Sequence, residues 1–208
     1  MADGIGAASA TALPVLDEAG RAALFTQART VNGFADVAVP DDKLLEAWEL
    51  ARWAPTSVNT QPLRILFVRK GEARERLIPH MFEPNKAKTA DAPAVAVLAI
   101  DKRFHDQIPV VFPIRPEMAE LFEANDELRS STGIFSGALQ AAYFIMALRA
   151  VGLAAGPMGG FDPVGIDHEY FPDGKWNSVL VVNIGLPGDN AWSDRLPRLS
   201  PAEVIRWV

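Results

Sequence analysis

The sequence has no cysteine among its 208 residues. This absence excludes disulfide bonds, thiolate nucleophiles and metal sites built on cysteine. Histidine is almost as scarce, because only His80, His105 and His168 occur, far apart and in unlike surroundings. We interpret each of them as a surface or helix-end residue rather than as a metal ligand. The sequence therefore predicts no metal site.

Positive charge is also in short supply, with 20 lysines and arginines against 26 acidic residues and a net charge of −6. A chain of this sign has no general attraction for nucleic acids or anionic membranes, and we expect neither as a partner. The longest apolar stretch, 138–156, has the length of a membrane span, but Gln140 and Arg149 interrupt it. We prefer a buried core helix here, because no second span or flanking charge pattern accompanies the stretch.

The first residues lack the basic start and apolar core of a secretory signal peptide. We interpret 1–15 as a flexible N-terminal leader and 16–208 as a single domain, since a chain of this length suits one sizeable core. We expect the protein to be cytoplasmic.

Motifs of several common enzyme classes are missing as well. The sequence contains no G-x-G-x-x-G after a strand, no P-loop, no G-x-S-x-G elbow and no H-E-x-x-H pair. With neither a recognisable nucleophile nor a metal centre, a bound cofactor would have to supply the reactive atom.

Hydrophobic patterning predicts an α+β fold. Continuous apolar runs at 94–100 and 177–184 are typical of strands covered on both faces, and 63–69 is a third predicted strand. Helices and strands do not alternate regularly, which favours a sheet sandwiched by helices over a doubly wound parallel sheet. Helices are predicted at 16–30, from 41 up to Pro55, and at 71–81, 85–91 and 131–151, with partial helix at 115–128, an irregular segment at 104–116 and an amphipathic tail at 201–208.

Polar residues gather in four segments, 29–34, 55–62, 156–162 and 195–198, and in the helical pair Asn85 and Lys88. Each segment taken alone has an ordinary structural interpretation: a helix C-cap, a connection between prolines, a tight turn and a solvated basic loop. Each also has a binding interpretation. Paired glycines allow close approach to a flat ligand, and arginine forks hold phosphate.

The order and spacing of these segments resemble the FMN-dependent nitroreductase family over 24–204. The most specific stretches are APTSVNTQP at 54–62 and GLAAGPMGGFD at 152–162. Within the family, ART-x-NG-F from Ala28 and RLPRLS at 195–200 most resemble the malonic semialdehyde reductase branch.

This resemblance implies a nitroreductase-like three-layer sandwich, with a central mixed or antiparallel sheet between helices. It also implies an intertwined homodimer with two FMN sites at the interface. NADH or NADPH would supply a hydride that passes through FMN to a small aldehyde, converting malonic semialdehyde to 3-hydroxypropionate. A broad nitro or quinone reductase and a flavin-binding protein without turnover are the alternatives.

The resemblance also assigns binding roles, while no side chain is predicted to be catalytic itself. Lys88 is the predicted cation beside flavin N1 and O2, an electrostatic stabiliser of negative charge there. Either Arg195 or Arg198 is the counterpart of the family's C-terminal basic residue near the phosphate. The implied cofactor-binding residues are Arg29, Thr30 and Asn32 at the flavin and its tail; Pro55, Thr56, Ser57 and Asn59 from the partner chain; Asn85 and Lys88 at the pyrimidine edge; Pro157, Gly159 and Gly160 under the ring; and Arg195 and Arg198.

Three positions depart from the family pattern and weigh against a generic nitroaromatic reductase. Asn32 replaces a basic residue, Gly159 replaces an acidic one, and Leu63 replaces a tryptophan. We interpret 104–116 as a lid on the substrate side. Arg103 or Arg115 is the candidate that would attract a substrate carboxylate.

Overall fold

The structure, a computed structural model, describes residues 13–208. Most of the predicted leader therefore lies outside the described residues, and Leu13–Val15 are exposed. The helices are α1 (Glu18–Arg21), continued by a π-helical turn at Ala22–Thr26, α2 (Asp41–Ala51), α3 (Glu72–Leu77), α4 (Glu83–Asp91), α5 (Ile108–Val111), α6 (Met118–Glu123), α7 (Asp126–Ala150), α8 (Pro163–Tyr170) and α9 (Pro201–Val204), with 3-10 turns at Ser57–Asn59, Ile78–His80 and Phe104–Gln107.

Four strands form one antiparallel sheet in the order β1-β2-β4-β3. The strands are β1 (Leu63–Arg69), β2 (Ala94–Asp101), β3 (Ala154–Met158) and β4 (Trp176–Gly185). β1, β2 and β4 confirm the three predicted strands to within about one residue at each end. Of the predicted mixed or antiparallel alternatives, the described sheet is antiparallel.

β3 corrects the prediction of a turn at 156–162, because the first three of those residues belong to a strand. Gly156 and Pro157 are poor strand formers and conceal it in the sequence. The sheet accepts Pro157 because β3 is an edge strand, where a residue without an N–H is tolerated.

The helical predictions need three further corrections. The first helical segment ends at Thr26, so Arg29 and Thr30 lie in the chain that follows it. α7 begins five residues earlier than predicted, because the Asn125 side chain accepts a hydrogen bond from the Leu128 N–H at 2.9 Å and caps it. α8 was not predicted.

Helices cover both faces of the sheet, which confirms the three-layer α+β sandwich. On one face, α2 and α7 pack against β2 and β4 through a core that includes Leu44, Phe144 and Leu98. On the other face, α3 and α8 contribute Leu77 and Ile166 to a second core. The consecutive buried residues of β2 serve both layers, since alternate side chains point to opposite faces.

α7 is only partly a core helix, which corrects the expectation that its whole apolar circumference is buried. Phe144 and Leu148 are fully buried, whereas Ile134 and Phe135 on the outer side are 59% and 66% exposed. By length and composition, α7 is the one helix among the described residues that is long and apolar enough to cross a membrane. The core helix of a soluble protein has the same composition, and the packing of α7 on the sheet fits that description.

Candidate functional site

A cavity of about 470 Å³ lies between the chain that follows the first helical segment and the C-terminal segment. Four arginine side chains reach it, against the single carboxylate of Asp194. The cavity is therefore locally positive in an acidic chain and suits an anion. Its polar lining residues are Arg29, Thr30, Asn32, Arg149, Ser193, Asp194, Arg195 and Arg198.

Hydrogen bonds across the cavity join two segments that are more than 160 residues apart in the sequence. Arg29 Nη1 donates to the Ser193 carbonyl oxygen at 3.3 Å, and Arg195 Nη2 donates to the Thr26 carbonyl oxygen at 2.7 Å. The Arg29 guanidinium also lies 5.4 Å from the centre of the Trp192 ring. The structure thus brings the first and last predicted segments together.

Arg195 and Arg198 both line this cavity, so the structure keeps both as candidates for the phosphate. They differ in how they are held. Arg195 bonds the carbonyls of the opposite segment, at Thr26 and Ala28, whereas Arg198 bonds the carbonyls of its neighbours Leu196 and Pro197. Arg195 is therefore the better preorganised of the two.

A second group of predicted residues forms where β3 ends beside α4. Asn85 Nδ2 donates to the Gly160 carbonyl oxygen at 2.8 Å, and the Phe82 N–H donates to the same oxygen at 3.1 Å. Lys88 is half-buried on α4 and forms no ion pair with any residue in 13–208. Its ammonium is thus available to an anionic group.

β3 links the two groups. The Val31 N–H donates to the Ala155 carbonyl oxygen at 3.2 Å, which places the arginine cavity beside the start of the strand. Gly156 permits this approach, because a Cβ there would lie 2.7 Å from the Val31 carbonyl oxygen. β3 ends at Met158, so the chain from Ala155 to Gly160 spans at most about 16 Å, the length it would have if fully extended. The two groups therefore define an elongated site along the edge of the sheet.

The predicted loop at 55–62 lies elsewhere on the same chain. The Ser136 hydroxyl accepts from the Ser57 N–H at 3.2 Å, and Asn59 Nδ2 donates to the Val111 carbonyl oxygen at 2.6 Å. Arg149 follows Ser136 by thirteen residues on α7, which is about 20 Å along the helix axis. Pro55, Thr56, Ser57 and Asn59 are thus not brought to the arginine cavity of their own chain.

The backbone of this loop is strained. Val58 and Asn59 have φ values of 42° and 54°, and Gln61 has 45°. A left-handed conformation at a β-branched residue such as Val58 costs about 1–3 kcal/mol and persists only where the surroundings impose it, which is common at binding sites.

The segment at 104–116 is only partly the irregular excursion that the sequence predicts, because 104–111 is helical and 112–116 is irregular. It begins with a 3-10 turn and α5, and Phe104 and Ile108 are buried against Phe122. Neither arginine that we proposed for a substrate carboxylate is unpaired: Arg103 bonds Asp106 and Glu123, and Arg115 bonds Glu117.

His105 also differs from its prediction as a surface or helix-end residue, because it is 1% exposed. Its Nε2 lies 2.6 Å from Glu123 Oε2. This hydrogen bond lowers the pKa of the Glu123 carboxyl, and the hydrogen bond from Arg103 lowers the pKa of Asp106. His105, Asp106 and Glu123 are close enough to hold a metal ion, but both carboxylates already form ion pairs with Arg103.

Arg149 is the cavity residue that sequence reasoning missed. It lies in the last turn of α7, and burial lowers the pKa of its guanidinium. The sequence signal for it is an arginine inside an apolar stretch, the same feature that argues against a membrane span.

Substitution of the two adjacent glycines, Gly159 and Gly160, tests the contact between Gly160 and Asn85. A Cβ at Gly160 would lie 2.6 Å from Asn85 Nδ2, whereas a Cβ at Gly159 meets nothing within 4 Å. We expect Gly160→Ala to displace Asn85, break its hydrogen bond and lower the free energy of unfolding by about 1 kcal/mol. We expect Gly159→Ala to change it by less than about 0.5 kcal/mol. Urea denaturation measures both, and equal losses in the two variants would contradict this geometry.

Comparison with known sequences assigns the family. The nitroreductase family model matches residues 26–186, and the chain belongs to that family. A Streptomyces coelicolor protein named "Putative NADH dehydrogenase/NAD(P)H nitroreductase" is 55% identical over 196 residues, which cover 94% of this chain and 97% of that protein. A Streptomyces griseus protein of the same name is 48% identical over 194 residues, covering 93% and 98%.

Solved structures agree on the fold. A putative nitroreductase from Exiguobacterium sibiricum, solved in complex with FMN, superposes with a TM-score of 0.80 over 95% of this chain and 100% of its own, at 19% identity. A putative NAD(P)H:FMN oxidoreductase from Staphylococcus epidermidis gives a TM-score of 0.76 at 21% identity, covering 89% and 94%. The family and fold implied by the resemblance are therefore confirmed, whereas these names do not specify an aldehyde substrate.

Proposed function

We propose that this chain is an FMN-dependent NAD(P)H oxidoreductase that works as a homodimer. The observation that carries the proposal is the elongated site along β3, which has the arginine cavity beside Ala155 at one end and the contact between Asn85 and Gly160 five residues further along the chain. Such a site suits a ligand with a phosphate at one end and a flat ring at the other. The FMN bound by the structural neighbour has this form.

The residues present fit that cofactor. A phosphate group carries about −2 charge, and Arg29, Arg195 and Arg198 would hold it with charge-assisted hydrogen bonds. Asn85 is fixed by the Gly160 carbonyl, and a side chain at Gly160 would collide with it, so this turn is built for a close backbone approach. Lys88 would supply positive charge at the pyrimidine edge of the ring.

FMN held at this site would supply the chemistry of hydride transfer between NADH or NADPH and the acceptor. The chain's own residues bind and orient the ring and exclude water on one side. No side chain of the site is required as a nucleophile.

We propose that each site is completed by the 55–62 loop of a second copy. The strained, hydrogen-bond-rich loop lies about 20 Å along α7 from the arginine cavity of its own chain. The outer side of α7 exposes Ile134 and Phe135 beside Ser136, and Tyr143 between Ser136 and Arg149, which is a surface suited to burial against another chain. A homodimer places a loop and a cavity from different chains at one site.

Two acceptor classes compete. The names of the Streptomyces relatives, which include the word nitroreductase, support a nitro acceptor. The malonic semialdehyde branch, with reduction to 3-hydroxypropionate in the cytoplasm, rests on ART-x-NG-F and RLPRLS, and the second motif lies beyond the residues that the family model matches. Arg103 and Arg115 are already paired with acidic neighbours, so a substrate carboxylate would have to displace Asp106 or Glu117 to bind either of them.

Anaerobic titration tests the proposal. The purified protein is loaded with FMN, treated with NADH or NADPH in separate experiments, and then mixed with malonic semialdehyde, a nitroaromatic compound or a quinone. Bleaching of the flavin absorbance by a nicotinamide and its return with one acceptor are the expected results. Return with the aldehyde alone would assign the aldehyde branch. A flavin that neither nicotinamide bleaches would instead indicate a binding protein without turnover.

A further inference from the structure

Asn183 is a buried amide in the middle of an apolar strand. Its residue is 1% exposed and stands between Val182 and Ile184, which are fully buried. Its neighbours in the adjoining strands are Val95 and Gly156. An amide in such surroundings costs free energy unless its polar atoms are hydrogen-bonded, so a valine would suit the strand better. The presence of asparagine therefore calls for an explanation.

The amide nitrogen of Asn183 is directed at α4. Nδ2 donates to the Lys88 carbonyl oxygen at 3.1 Å and to the Thr89 hydroxyl at 3.2 Å, and it lies 3.8 Å from the Met158 sulfur. Oδ1 is buried and has no partner within 13–208. The side chain thus gains bonds to α4 but leaves its own acceptor unsatisfied.

The bond to Lys88 falls at a point where α4 cannot satisfy itself. The last four carbonyls of an α-helix have no intrahelical donor, and α4 ends at Asp91. The Lys88 carbonyl is the first of these four. Asn183 therefore fixes the backbone of the turn that carries the Lys88 side chain, whose ammonium has no ion pair of its own within the described chain.

Asn183 also touches the other half of the second group. Met158, whose sulfur it approaches, is the last residue of β3 and immediately precedes Gly159. One side chain thus joins the helix that carries Asn85 and Lys88 to the strand that leads into the two glycines.

We propose that Asn183 is a positioning residue that holds Lys88 in place at the flavin site. The inference rests on the proposed function, since it concerns the orientation of Lys88 toward bound FMN. Two variants separate this role from a merely structural one. Asn183→Val fits the strand and removes both the donor and the unsatisfied acceptor, and Asn183→Ala does the same without adding bulk.

The expected result is a stable protein with a poorer site. We expect both variants to melt within a few degrees of the wild type as apoproteins. We expect their Kd for FMN to rise about tenfold, which corresponds to about 1.4 kcal/mol. The midpoint potential of bound FMN, measured at saturating cofactor, should become more negative because the Lys88 cation is less well placed. The matched control is Ser178→Ala, because Ser178 is a buried polar residue elsewhere on β4. This variant should leave the Kd for FMN and the midpoint potential unchanged.

A double-mutant cycle shows whether Asn183 acts through Lys88. In a Lys88→Ala background, Asn183→Val should no longer shift the potential. An equal shift in that background, or variants that bind FMN with the wild-type Kd and potential, would overturn the inference while leaving the proposed function intact. A wild-type protein that does not bind FMN would overturn both.

Discussion

The double variant Arg29→Ala/Arg195→Ala is expected to bind FMN about 10² to 10⁴ times more weakly than the wild type. Each arginine contributes a charge-assisted hydrogen bond worth about 1.5–3 kcal/mol when its partner is an anion, and each factor of ten in Kd is about 1.4 kcal/mol. The two side chains reach one cavity from opposite segments of the chain. Fluorescence titration of the apoprotein with FMN measures the change.

Riboflavin separates a phosphate effect from general damage. It has the same ring but no phosphate, so its Kd should change by less than about threefold in the double variant. Arg52→Ala is a matched control, because the Arg52 guanidinium lies over the Trp53 ring as that of Arg29 lies over the Trp192 ring. Unlike Arg29, Arg52 does not line the cavity. Equal losses for FMN and riboflavin would contradict the assignment of this cavity to the phosphate.

Replacement of Arg74 by methionine is expected to lower the free energy of unfolding by about 3–5 kcal/mol. The side chain is 3% exposed and donates to the carbonyl oxygens of Thr89, Ala92 and Val68 at 2.6, 2.8 and 2.5 Å. Burial lowers the pKa of Arg74 to about 10, so the guanidinium remains charged at neutral pH. Its removal leaves three carbonyls without a donor, each at a cost of about 1–3 kcal/mol.

Arg76→Met is the control for this prediction, since Arg76 lies on the same helix but forms an exposed ion pair with Glu169. Exposed pairs contribute about 0–1 kcal/mol. Urea denaturation should therefore separate the two variants clearly. A loss at Arg74 no larger than that at Arg76 would show that the end of α4 does not depend on the buried guanidinium. Because α4 carries Asn85 and Lys88, we also expect Arg74→Met to weaken FMN binding.

The sequence predicts those features that depend on continuous patterns. β2 and β4 are apolar at nearly every position because helices cover both faces of the sheet. Such continuous apolar runs can be recognised as strands from the sequence alone. The family was identified from the spacing of short polar segments. The structure brings two sets of these segments together, Arg29 with Arg195 and Asn85 with Gly160.

Other features depend on contacts that no local pattern records. β3 is held as a strand by its pairing with β4 despite Gly156 and Pro157. Of the two partners of Arg103, Asp106 is only three residues away, but Glu123 is twenty residues away and no local pattern indicates that pairing. The sequence predicts a surface or helix-end position for His105, whereas the packing of its neighbour Phe104 against Phe122 buries it.

The central claim is that FMN binds at a site shared by two copies of this chain. Sedimentation equilibrium followed at the flavin absorbance tests it directly, because the signal reports only the species that carries the cofactor. We predict that bound FMN sediments with twice the mass of the 22.6 kDa chain, at two FMN per dimer. Bound FMN that sediments with the mass of a single chain would contradict the account.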